Sequence, residues 1–112
     1  PDHWFYNIPA EVPDTGAYNA HFVRDIGLAY LISGFGFLWS VVYLAKCGIV
    51  HMGNTLFVAG HGILHAMDIF VGRLPMDHLL YDFPGIMLPG LIMVFLCIPA
   101  VWARANPYDL DL

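Results

Sequence analysis

Three long runs of apolar residues, separated by short polar segments, dominate the pattern of this chain. Residues 26–45 and 83–103 contain no charged side chain, whereas residues 54–72 carry His61, His65 and Asp68. A bilayer core about 30 Å thick requires about 20 apolar residues in a helix. The pattern therefore predicts an all-α membrane bundle of three transmembrane helices, at residues 26–45, 54–72 and 83–103.

The runs are continuous, which favours helices over the alternating strands of a membrane β-barrel. Because ionisable residues are costly inside a bilayer, the middle segment could instead be a re-entrant helix. Pro89 and Pro99 lie inside the third run. Each removes a backbone donor, so we expect kinks there, which either shape the packing or open the backbone toward a cavity.

The ends of the chain differ from these runs. Residues 1–20 contain four aromatic residues and no Lys or Arg, which predicts a tail at the membrane interface. The chain is thus a single membrane domain over residues 1–112, with a tail at 1–20, a bundle at 21–105 and a polar end at 106–112. A tail without positive charge favours an outside N-terminus and an inside C-terminus.

Composition narrows the function classes. Hydrophobic residues form 59% of the chain and charged residues 12%, about half the charged fraction of a soluble domain, which excludes a free globular enzyme. Four basic against nine acidic residues give a net charge of −5, so nucleic-acid binding is not expected. Cys47 and Cys97 are too far apart for a paired-ligand motif.

The polar residues of the middle helix share one face. At about 100° per residue, His61, His65 and Asp68 fall within a narrow sector that Asn54 extends. Polar groups on a membrane helix point into protein or water. Two histidines four residues apart, with Asp68 as a third ligand, could bind copper, zinc or iron. The same stripe could also form a proton or small-solute pathway.

Topology adds partners to this stripe. The middle helix ends where the first begins, so Asp68 and His65 approach the level of His21, Arg24 and Asp25, and Asp77, His78 and Asp82 follow on the same side. One hypothesis is a structural polar cluster of Arg24, Asp25, His65 and Asp68. A metal site would use His61, His65 and Asp68, with His21 or Asp25 completing it. A haem or other tetrapyrrole would have to be shared with a partner subunit.

One segment carries a resemblance. Pro13-Asp14-Thr15-Gly16, Tyr18-Asn19 and the run from His21 to Leu31 resemble a segment of small uncharacterised bacterial multi-pass membrane proteins. The similarity covers residues 4–35 and continues more loosely through the histidine-bearing helix. It implies a bacterial inner membrane, a further span upstream, and one site shared by the His21–Asp25 edge and the His61–Asp68 stripe.

These observations predict a small accessory subunit of a larger membrane complex, of the respiratory, photosynthetic or oxygenase type. Its partners would be lipid and larger membrane subunits, because loops this short leave little room for a separate catalytic domain. The subunit would not be an enzyme alone, and at most part of an oxidoreductase complex. The alternative is a metal-binding redox or oxygenase component.

Overall fold

The computed structural model describes residues 1–108, and every regular element in that range is helical. The elements are α1 (Asp2–Asn7), α2 (Ala20–Val42), α3 (Gly48–Phe70), α4 (His78–Asp82), a π-helical turn (Phe83–Met87), α5 (Leu88–Leu96) and α6 (Pro99–Ala105), with 3₁₀ turns at Val12–Thr15 and Leu44–Lys46. The predicted all-α class is confirmed. Residues 109–112 of the predicted polar end lie outside the described residues.

Two helical segments are long and apolar enough, by length and composition, to cross a membrane: α2 and the continuous segment His78–Leu96. At about 1.5 Å per residue, the 23 residues of α2 extend about 35 Å. The side chain of Asn19 caps α2 by accepting hydrogen bonds from the backbone N–H groups of His21 and Phe22. The helix α3 is equally long but carries the polar stripe and is not one of the two.

The observed boundaries differ from the predicted ones for two reasons. The middle helix begins at Gly48 rather than 54, because residues 48–53 continue the helix although they lie outside the apolar run on which the prediction was based. The third helix begins at His78 and ends at Leu96. Ile98 is extended before Pro99, with φ −69° and ψ 121°, as expected for a residue before proline. Pro89 directly follows the π-helical turn, inside the continuous segment His78–Leu96, so the predicted break of the third helix occurs at Pro99 and not at Pro89.

Helix α3 is the centre of the bundle, and glycines bring its neighbours close. A Cβ atom added to Gly90 would lie 3.0 Å from the Cα atom of Ala59, and one added to Gly62 would lie 3.4 Å from a backbone oxygen of the π-helical turn. On the other side of α3, the Asn54 side chain fills the space above Gly36 and donates to the carbonyl of Ser33 at 3.3 Å. Small residues thus permit close helix contact.

The distribution of buried and exposed side chains is inverted relative to a soluble protein. Among residues 1–108, seven polar or charged residues are buried, against six hydrophobic ones. Of the 23 residues of α2, only Ser33 is buried, and large apolar residues cover its outer faces. A soluble domain of this size would bury its apolar residues. The polar side chains therefore pack inside, and the apolar ones face outward.

Candidate functional site

The most buried polar group of the described chain is the carboxylate of Asp82, which has no exposed side-chain surface. Its Oδ2 atom lies 2.7 Å from Nδ1 of His65 and 3.3 Å from Nδ1 of His78, and the tautomer of each ring decides which atom of the pair carries the proton. The other oxygen, Oδ1, has no hydrogen-bond partner among the described residues. One carboxylate oxygen thus links two imidazoles from two different helices.

His78 connects this carboxylate to the N-terminal tail. Its ring is 1% exposed, and its Nε2 atom lies 3.3 Å from Oδ2 of Asp14. Both ring nitrogens of His78 therefore face a carboxylate oxygen. An imidazole donates from both nitrogens only when it is protonated, and from one when it is neutral. The state of His78 therefore determines which of its two carboxylate contacts is a hydrogen bond.

Local chain geometry explains why these residues meet. Helix α3 ends in a turn in which the N–H groups of Arg73 and Leu74 donate to the Asp68 carbonyl, and Gly72 has a φ of +75°. That left-handed conformation favours glycine, which ends many helices in this way. The turn reverses the chain, so α4 runs back along α3. His78 and Asp82 are four residues apart on α4 and share one face.

The cluster continues along α3 through aromatic contacts. The rings of His61 and His65 are 4.7 Å apart, edge to face. The rings of Tyr30 and Phe57 lie 5.8 Å and 6.3 Å from His61, and no hydrogen bond joins His61 to another described residue. The cluster therefore extends from the tail, through the buried carboxylate, to the contact between α2 and α3.

The residues predicted from the sequence divide into three separate groups. Asp68 pairs with Arg73 at 3.0 Å near the end of α3, and not with Arg24. Asp25 pairs with His21 at 3.3 Å on an exposed part of α2. Within residues 1–108 Arg24 makes no ion pair. Of the expected polar cluster of Arg24, Asp25, His65 and Asp68, only His65 belongs to the buried site.

The predicted metal ligands are likewise not brought together. Among residues 1–108, no group of three His, Cys, Asp or Glu side chains is arranged to hold a metal ion. His61 and His65 are neighbours, but Asp68, His21 and Asp25 are engaged in the surface pairs described above. The third ligand proposed beside His61 and His65, and the residue proposed to complete the site, are therefore engaged elsewhere.

Three residues of the buried site were not in the predicted set: Asp14, His78 and Asp82. The sequence did place His78 and Asp82 on the same side as His65, because the connection after the middle helix returns there. Nothing local marks Asp14, since it lies 64 residues from His78 in the chain. Its position depends on the packing of the tail.

A second polar group lies at the other end of α3. The His51 ring stacks on Trp102 at 4.6 Å, and the Thr55 hydroxyl donates to the His51 carbonyl at 2.8 Å. The side-chain amide of Asn106 donates to the Leu44 carbonyl and to the sulfur of Cys47. These contacts connect α6 to the opposite end of the bundle.

The N-terminal tail has its own packing. The buried ring of Phe5 lies 5.2 Å from that of Tyr18, edge to face. The Tyr18 hydroxyl donates to the Asp2 carboxylate at 3.2 Å. A backbone N–H at the start of α1, followed by this hydroxyl, lowers the pKa of Asp2 below its ordinary value. The tail is thus an ordered segment, and it carries Asp14 to His78.

No protein-family model, no curated protein and no solved structure matches this chain. Its chemistry is therefore argued from the site itself. A buried carboxylate held by two imidazoles can stabilise an ion pair between helices or exchange protons with them.

Proposed function

We propose that this chain is a small integral membrane protein, a bundle of three transmembrane helices that serves as an accessory subunit of a larger bacterial inner-membrane complex. The observation that carries the proposal is the inverted distribution of side chains: α2 is long and apolar, and only one of its 23 residues, Ser33, is buried. A helix at the core of a soluble protein would be buried. Lipid or protein must cover this one.

Helix α3 fits the same environment. It is as long as α2, and two of its polar residues face inward: Asn54 contacts α2, and His65 contacts Asp82. Polar groups of a membrane helix are expected to face the bundle interior and find partners there. The absence of Lys and Arg from residues 1–20 favours an outside position for the tail.

One face of α2 supports the role of a subunit. Gly27, Leu31, Gly34 and Leu38 lie within about 60° of one another around the helix, and Leu31 and Leu38 are exposed. A Cβ atom added to either glycine would meet no atom within 4 Å. Glycines seven residues apart on an open face permit a second helix to approach closely. Contacts with α3 use a different side of α2, through Ser33 and Gly36.

The test is the state of the protein extracted from its native membrane in mild detergent, measured by native mass spectrometry. We expect extraction only by detergent, and a fixed ratio to at least one larger membrane subunit. Gly34→Leu should release the chain from that complex. Leu28→Phe adds bulk to an exposed position about 120° away on α2, and should leave the complex intact. A monodisperse monomer from the native membrane would refute the proposal.

A further inference from the structure

Four titratable side chains form a continuous row from the surface into the bundle. Oδ2 of Asp14 lies 3.3 Å from Nε2 of His78, whose Nδ1 lies 3.3 Å from Oδ2 of Asp82, and that oxygen lies 2.7 Å from Nδ1 of His65. Every link joins a nitrogen that can carry a proton to an oxygen that can accept one. We refer to these four residues as the Asp14–His65 row.

The row has a direction. The exposed fraction of the side chain falls from 49% at Asp14 to 1% at His78 and 0% at Asp82, and is 15% at His65. Its outer end, Asp14, therefore contacts water, and its two central members, His78 and Asp82, are closed off from it. Since the described chain surrounds Asp82 completely, a proton reaches it through a neighbouring side chain or when the structure opens.

We propose that the Asp14–His65 row is a proton relay that connects water at the tail side of the bundle to His65. Its unit step uses both nitrogens of His78. A protonated Asp14 gives its proton to Nε2 of neutral His78, while the proton on Nδ1 passes to Oδ2 of Asp82. Asp14 ends as a carboxylate, Asp82 as a carboxylic acid, and His78 as the other neutral tautomer.

The second step carries the proton from Asp82 to His65. Asp82 returns to its carboxylate form, and the neutral His65 ring, with Nδ1 as its acceptor, becomes an imidazolium. The net change is one proton moved from Asp14 to His65. His78 regains its first tautomer when a proton travels back along the row or when its ring turns over. Imidazole suits this role because it accepts and releases protons near neutral pH.

The unpartnered oxygen of Asp82 distinguishes the row from a purely structural ion pair. A carboxylate buried only to hold two helices together would use both oxygens, because each unsatisfied buried acceptor costs about 1–3 kcal/mol. Here both histidines share Oδ2, and Oδ1 has no partner among the described residues. Oδ1 therefore remains available to a further donor as the proton moves.

His65 is the inner end of the row, and His61 is the next titratable group, with its ring 4.7 Å away. This path differs from one along Asn54, His61, His65 and Asp68, since Asp68 is engaged with Arg73 at the surface. The relay does not depend on a partner subunit. A monomeric protein could contain the relay, and a subunit of a complex could lack it. The relay and the role as an accessory subunit are therefore refuted by different results.

The test measures how fast the Nδ1 proton of His65 exchanges with water, by NMR of the full chain with ¹⁵N-labelled histidine in lipid nanodiscs. Asp14→Asn cannot pass a proton to His78, so we expect exchange at His65 to slow at least tenfold. Asp14→Glu should restore most of the rate. Asp25→Asn removes a carboxylate of the exposed His21 pair and should leave the rate unchanged.

Unchanged exchange at His65 in Asp14→Asn would overturn the relay. A second measurement needs no variant: the ring proton of His65 should exchange faster than the ring proton of His51, which is also buried but lies outside the row. Equal rates would mean that water reaches His65 only when the bundle opens, and would also overturn the proposal.

Discussion

Replacement of Asp82 by Asn tests whether the buried carboxylate holds the bundle together. The carboxylate is fully buried and is approached by two imidazoles from two helices. The Asn side chain keeps the shape of Asp82 but loses its charge. If the NH₂ group occupies the position of Oδ2, it places a donor against a histidine N–H, where an acceptor is needed. Hydrogen bonds to a charged group contribute about 1.5–3 kcal/mol each. Breaking a buried ion pair costs about 3–5 kcal/mol, so we expect a loss of that size.

The assay is reversible unfolding of the purified protein in mixed micelles with increasing SDS, followed by circular dichroism. Asp68→Asn is the matched control. Asp68 shares a face of α3 with His65, but its side chain is partly exposed and pairs with Arg73 at the end of the helix. An exposed pair contributes about 0–1 kcal/mol. The free energy of unfolding should therefore fall several-fold more in Asp82→Asn than in Asp68→Asn.

Two results would refute this reasoning. If Asp82→Asn changed the free energy of unfolding by less than about 1 kcal/mol, the carboxylate would not hold the two helices together. If Asp68→Asn were the more costly variant, the polar centre of the bundle would lie at the stripe predicted from the sequence and not at Asp82.

Three further variants test the packing and the tail. Gly90→Leu should lower the melting temperature of the bundle, because its Cβ would lie 3.0 Å from the α3 backbone and overpacking costs about 1–3 kcal/mol, whereas Gly85→Leu, with open space around it, should not. Gly36→Ala should destabilise the protein because its Cβ would lie 2.7 Å from the Asn54 amide; Asn54→Ala should restore part of that loss in the double variant, as a double-mutant cycle would measure. Because the pKa of Asp2 is lowered in the folded protein, its carboxylate stabilises the folded tail above the ordinary pKa of the group, and this contribution disappears as the pH falls below about 4. NMR of the aromatic rings should show the tail loosening at that pH, and this pH-dependent change should be smaller in Asp2→Asn.

The helical class could be predicted because long apolar runs have few other solutions in a membrane. The helix ends could not be placed as well. The start of α3 at Gly48 is not marked by hydropathy, and the end of the third helix depends on which proline breaks it. Pro89 lies inside the continuous helical segment His78–Leu96, whereas the chain leaves the helix at Ile98 and Pro99 begins α6.

The site was predicted only in part, for a physical reason. A helical wheel indicates which residues share a face but not which of them find a partner. Asp68 and His65 share the face, yet Asp68 lies at the helix end, where Arg73 is five residues away. His65 lies one turn deeper, where Asp82 from another helix is the available acceptor. The contact with Asp14 depends on tail packing that no local pattern encodes.

The architecture of this polar centre favours a role beyond holding helices together. Replacing a buried ion pair by well-packed apolar residues is often neutral or stabilising, so stability alone is a weak reason for such a pair. The rest of the bundle already has close apolar contacts, such as that of Gly90 with α3, which hold membrane helices at no such cost. In the described part of the chain, the buried charged residue is Asp82, and it belongs to the row of four titratable groups that connects to water. A contact that only held the two helices together would need Asp82 and one histidine. The second imidazole and Asp14 add a route for a proton.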